Sequence, residues 1–141
     1  MRISKKYKPS TQTHRGIPLQ VSRLSAGFPS PADDFTDVKL DLNDHLIKHP
    51  SATFFVQVSG DSMTGAGIFD GDLLVVDRSL EPKNKSIIVA VLDGELTVKR
   101  LKKIEAAIML VPENPDYDSI DVSEDADFSV WGVVVWVLHK A

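Results

Sequence analysis

Ser62 and Lys99 are the two residues of this chain whose types and settings could do chemistry together. Ser62 sits in Ser59-Gly60-Asp61-Ser62-Met63, directly after the apolar run Thr53-Phe54-Phe55-Val56-Gln57-Val58. The glycine-rich turn Thr64-Gly65-Ala66-Gly67 follows. A serine beside a glycine at the end of a strand is presented on a rigid element, as a nucleophile must be. Ordinary turn serines are mounted the same way, so the pentapeptide needs a partner. No histidine is a convincing base, because His14 is in the first segment, His45 and His49 fall on an expected helix, and His139 is near the C-terminus. Lys99 is the odd residue. On a strand Glu95–Leu101 it shares a face with Thr97 and Leu101, opposite the continuous apolar run Ile87–Leu92. In dry surroundings desolvation disfavours the charged amine and lowers its pKa, which lets it act as a base, with the Thr97 hydroxyl holding it. Lys99 is also one of several charges in Lys99-Arg100-Leu101-Lys102-Lys103, where a solvated lysine is ordinary.

The elements that must position these residues are mainly strands. Runs at Leu73–Val76, Ile87–Leu92, Glu95–Leu101, Ala107–Val111, Ile120–Val122 and Phe128–Leu138 are separated by turn signals, Asp93-Gly94 being a two-residue hairpin. The pattern predicts a mainly β domain of short, largely antiparallel strands with one short helix. That helix is expected from Asp33 or Asp34 to about His49, with Phe35, Val38, Leu42 and Leu46 on one face and Pro50 as its stop. His45 and His49 would then share a face, but no third ligand stands at a metal-binding spacing, so no metal site is assigned. The runs Ile87–Leu92 and Val133–Leu138 are apolar on both faces and must be covered twice, by their own fold or by a partner chain. Val130–Val137 is therefore either a central core strand or a dimer contact.

Residues 1–32 show no periodicity and are punctuated by Pro9, Gly16, Pro18, Gly27, Pro29 and Pro31. They read as a mobile arm with extended local structure, followed by a domain over residues 33–141. Residues 1–30 carry six basic and no acidic residues, hence +6; the remainder has ten basic and twenty acidic, hence −10. A solvated tail satisfies that asymmetry, as does an arm that lies against the acidic body or touches nucleic acid through salt-sensitive attraction; the acidic body itself is a poor direct DNA binder. The 141 residues suit one domain. There is no cysteine for a disulfide or a thiolate site, no secretory signal, and no apolar run of about 20 residues to span a bilayer. The expected compartment is the cytoplasm.

Ser59-Gly60-Asp61-Ser62-Met63, then Gly71-Asp72, Asp93-Gly94-Glu95 and Thr97-Val98-Lys99-Arg100, together resemble the Ser-Lys peptidases of the LexA group. LexA-type repressors carry a helix-turn-helix domain before the cut site. About two dozen non-helical residues precede Ala26-Gly27 here, so the resemblance is to the short-armed branch that accompanies an error-prone DNA polymerase. It runs from about Gly16 through Asp41-Leu42-Asn43 and His49-Pro50-Ser51-Ala52-Thr53 to Val130-Trp131-Gly132-Val133-Val134. Bacterial signal peptidases share the serine motif but need a membrane anchor not read in this chain.

The resemblance implies Ser62 as nucleophile, Lys99 as general base and a self-cleavage site at Ala26-Gly27. It further implies a homodimer, a Y-family polymerase subunit as partner and a RecA–single-stranded-DNA filament as activator, with no cofactor. Backbone N–H groups at Ser62 and Met63 are the natural oxyanion donors. Residues 27 to about 38 span roughly 40 Å when extended, so the bond can reach its own site or a partner's. Asp61 is expected to shape the turn, since a carboxylate beside Lys99 would weaken it as a base. The alternative function is a non-catalytic polymerase accessory module in which the Ser62–Lys99 pair is vestigial.

Overall fold

A computed structural model describes residues 1–10, 16–18 and 39–141, the second group by backbone alone. Contacts divide the chain into two compact units, Met1–Pro9 with His49–Ala141 and Ser10–Lys48. In the larger unit the strands are β1 (Arg2–Tyr7), β4 (Thr53–Ser59), β5 (Leu73–Asp77), β6 (Ile87–Leu92), β7 (Glu95–Ile104), β8 (Ala107–Val111), β9 (Ile120–Val122) and β10 (Phe128–Leu138). The smaller unit holds β2 (Gly16–Pro18), β3 (Lys39–Asp41) and the helix α1 (Leu42–Leu46).

The large sheet runs β1-β4-β5-β10-β6-β7-β8-β9, every pairing antiparallel, and β1 also meets β7. Six strands therefore close on themselves, with β1 the stave between β4 and β7, while β8 and β9 extend beyond. The β6–β7 hairpin turns on Asp93 and Gly94, both in the left-handed region (φ 50° and 83°), as a type I′ turn requires.

Two apolar clusters fill the unit. One gathers Met1, Val56, Val58, Met63, Ile68, Leu74, Val76, Val89 and Val98. The other gathers Ile88, Ala90, Leu101, Leu110 and Val133. Alternate residues of β6 thus serve opposite clusters, and this strand's two apolar faces are covered by its own fold. β10 is central as well, pairing with β5 and β6, yet Val135, Trp136 and Leu138 remain exposed toward its end. A Cβ on Gly132 would stand 2.5 Å from Cγ1 of the fully buried Val76. Gly132→Ala is expected to cost about 1–3 kcal/mol by overpacking, read as a lower midpoint in urea unfolding; an unchanged midpoint would show that this contact relaxes freely.

Two expectations need correction. The helix is one short turn beginning at Leu42, because the Asp41 side chain accepts from the Asn43 N–H at 2.9 Å and caps it there. Lys39–Asp41 is instead a strand against Gly16–Pro18, and the part of the expected helix over residues 33–38 lies outside the described residues. His49 consequently shares no helix face with His45. It precedes a 3-10 turn at Pro50–Ala52, and its Nδ1 meets the buried Asp77 carboxylate at 2.5 Å. Burial opposes the charge of Asp77, but the Ser79 hydroxyl, His49 and the Ser79 N–H outweigh it and hold its pKa below the usual value.

The described start of the expected arm is extended, as anticipated, but Arg2–Tyr7 is a stave of the sheet rather than a free tail. Its cations rest on rings and carbonyls. Lys8 Nζ lies 4.3 Å from the Phe54 ring centroid and donates to the carbonyls of Pro50, Ser51 and Thr53, and Lys6 Nζ lies 5.5 Å from the Trp131 ring.

Candidate active site

β4 delivers the chain to Ser59, and Gly60 turns it with φ of 100°, its N–H donating to the Asp70 carboxylate at 2.8 Å. Only glycine takes that backbone angle without strain. Ser62 follows at 2% exposure and Met63 at 0%, the methionine side chain anchoring the turn in the first cluster. A 3-10 turn at Thr64–Ala66 leads away, closed by Gly67.

The turn is propped from behind by residues 113–117. The Glu113 N–H donates to the Ser62 carbonyl at 2.8 Å, and the Gly65 N–H donates back to the Glu113 carbonyl at 2.7 Å. Asn114 Nδ2 donates to the Asp61 carbonyl at 2.9 Å, while the Tyr117 hydroxyl bonds the Asp61 carboxylate. Arg100 pairs with the Glu113 carboxylate. Asp61 is thus engaged with the loop, in keeping with a turn-shaping part. No local pattern marked Glu113, because its role runs through backbone atoms.

β7 brings Lys99 to the serine. Its Nζ lies 3.0 Å from Ser62 Oγ, 3.1 Å from the Val98 carbonyl and 3.3 Å from Thr97 Oγ1. At 6% exposure Lys99 is among the buried charged residues, and burial lowers its pKa, opposed by its hydrogen bond with the amino terminus. Thr97 and Lys99 share a strand face, as expected from their spacing. Among the described residues, the backbone N–H groups of Ser62 and Met63 have no protein acceptor.

Sequence reasoning missed Met1. Its amine donates to Ser62 Oγ at 2.8 Å, and its carbonyl accepts from the Val98 N–H and from Thr97 Oγ1, both at 3.1 Å. Burial first, then the hydrogen bond and charge of Lys99 and the charge of Arg2, against the opposing charge of Asp61, lower the amine's pKa from 8.0 to about 5. The docked amine therefore holds fewer protons than a free one, and its docking is favoured as pH rises from about 5 toward 8. Ala26, Gly27 and His14 lie outside the described residues. Among the described residues no group of three or more His, Asp or Glu is placed to hold a metal, and no helix is long and apolar enough to cross a membrane.

The larger unit is thus a closed antiparallel β barrel in which a buried serine after one strand meets a buried lysine on another. Residues 18–135 match the Peptidase S24-like family. Protein SamA of Salmonella typhimurium is 46% identical over 123 residues, covering 87% of this chain and 85% of that protein. Protein MucA of Escherichia coli is 45% identical over 119 residues, covering 84% and 81%. The LexA repressor of Saccharophagus degradans is 41% identical over 136 residues, covering 92% of this chain and 65% of the repressor. The chain belongs to the Peptidase S24-like family, which includes self-cleaving serine peptidases, and its kinship is with the UmuD-like proteins.

Proposed function

We propose that this chain is a serine endopeptidase that cuts its own polypeptide at Ala26-Gly27. The observation that carries the reading is the buried contact of 3.0 Å between Lys99 Nζ and Ser62 Oγ. Neutral Lys99 takes the hydroxyl proton as Ser62 Oγ attacks the Ala26 carbonyl carbon. The oxyanion is received by the N–H groups of Ser62 and Met63, each worth about 3 kcal/mol at comparable sites. Lys99 returns the proton to the Gly27 nitrogen as the C–N bond breaks, and water then hydrolyses the ester. Thr97, bonded to Lys99, orients the amine.

Kinship with UmuD-like proteins extends the proposal to the cellular role. The protein acts in the SOS response to DNA damage in the cytoplasm, as a homodimer with the acidic domain over residues 33–141 carrying the site. Cleavage is stimulated by the RecA–single-stranded-DNA filament, and the trimmed form serves as subunit of an error-prone Y-family (UmuC-like) DNA polymerase. One observation favours the second reading, a non-catalytic accessory module: the Ser62 hydroxyl is already engaged by the Met1 amine.

Incubation of pure protein, followed by intact mass, separates the two. Self-cleavage yields a fragment beginning at Gly27, faster at alkaline than at neutral pH and absent in Ser62→Ala. A chain that stays whole at high pH and with RecA filaments leaves the accessory module standing. Efficient turnover of added peptides containing Leu-Ser-Ala-Gly-Phe would instead indicate a general protease.

A further inference from the structure

β4 and β7 are not paired with each other; the opening between them holds β1. Ser62 follows β4 and Lys99 lies on β7, so the opening flanks both. Arg2 is the residue that spans it, opposite Ser59 on one side and Thr97 on the other. Met1 goes further in. Its side chain joins the buried cluster around Val56, Val58 and Met63, and its carbonyl is held by the Val98 N–H.

An extended peptide that adds to a sheet edge gains main-chain hydrogen bonds along its length. A substrate bond must also place a carbonyl carbon about 3–3.5 Å from Ser62 Oγ. The Met1 amine, 2.8 Å from that oxygen, occupies this space. An amine beside the serine, with the next carbonyl bonded to the neighbouring strand, is also how the leaving half of a cut peptide would lie.

We infer that β1 is a displaceable plug in the substrate's strand position, and that a peptide reaches Ser62 only after Met1 and Arg2 withdraw from between β4 and β7. The inference rests on the self-cleavage reading for what is blocked. The plug itself lies before residue 18, where the family match begins. Apart from Ile3 the residues of β1 are exposed, so beyond the Met1 side chain it is held by main-chain pairing with β4 and by the contacts of Lys6 and Lys8 with rings and carbonyls rather than by a buried apolar face.

The test uses the full chain and a variant extended by Gly-Ser-Gly-Ser before Met1, with a version lacking residues 2–9 as a second way to empty the opening. Amine access is read by modification with an aldehyde selective for chain termini. Serine access is read by labelling with a fluorophosphonate, both by intact mass. The unextended chain is expected to be modified at its amine at least 10-fold more slowly than the extended one. Both altered chains are expected to label at Ser62 at least 10-fold faster than the unaltered chain, with Ser62→Ala as the blank. Equal amine reactivity overturns the docking, and equal, measurable labelling of Ser62 in all three overturns the plug while leaving the dyad intact. Labelling in none of them overturns the dyad reading, and the plug falls with it.

Discussion

Lys99→Met is expected to give a folded protein whose self-cleavage is slowed by about 10³-fold or more, within the range that removal of a general base produces. Methionine keeps the length and flexibility of the lysine stem while deleting the amine, so the β7 strand and its packing persist. Loss of fold is not expected, because a desolvated amine is a weak contributor to stability at neutral pH. Its pKa is lowered on folding, so between the folded value and the ordinary 10.5 the unfolded chain binds more protons. Stability therefore rises with pH through that window, and the lysine is a net burden below it. Lys99→Arg is the sharper companion. Arginine retains positive charge and reach but stays protonated, so it too should fail to cut. The measurement is the rate of appearance of the Gly27 fragment between neutral and alkaline pH, with melting temperature as control. For the wild type the rate should climb with pH through the lowered pKa of Lys99 and then level off. A Lys99→Met protein that cuts with the same rising profile would show that another group takes the serine proton.

Much of this site was legible because strand logic is local. The runs at Thr53–Ser59, Ile87–Leu92 and Glu95 onward appear as β4, β6 and β7, and the Asp93-Gly94 turn fixes the register that sets Ile88 opposite Lys99. With that register, the shared face of Thr97 and Lys99 follows from the two-residue repeat of a strand. The longer helix expected from Phe35, Val38, Leu42 and Leu46, which fit a helical period, gives way where pairing with Gly16–Pro18 claims Lys39–Asp41. Such a pairing is non-local and leaves no periodic trace. Met1 was invisible for a related reason. Its position depends on β1 reaching across some 50 residues to β4, and nothing in Arg2–Tyr7 alternates strongly enough to announce a strand. Glu113 belongs to the same class, since it holds Ser62 through main-chain atoms that every residue type carries.

That backbone contact makes Gly65 the second sensitive position. A Cβ on Gly65 would stand 2.7 Å from the Glu113 carbonyl oxygen and 3.4 Å from its carbonyl carbon, far inside ordinary contact with the oxygen. The obstacle is main chain, not the end of a flexible side chain, and it is pinned on both sides. Glu113 donates its N–H to the Ser62 carbonyl and bonds Arg100 through its carboxylate. Relief must therefore move either residues 113–117 or the serine turn itself. Overpacking of this kind costs about 1–3 kcal/mol, and displacing a reacting group by about 1 Å can cost 10²-fold in rate. Gly65→Ala is accordingly expected to slow self-cleavage by about 10²-fold while the protein still folds. Gly67→Ala supplies the contrast. Gly67 has a left-handed φ of 78°, but a Cβ there meets nothing within 4 Å. It should lower stability by about 1 kcal/mol through backbone strain alone and leave the cutting rate within a few-fold of wild type. Rates and urea midpoints measured together on the two variants separate position from stability. If Gly65→Ala cuts at the wild-type rate, the Glu113 prop does not position the nucleophile.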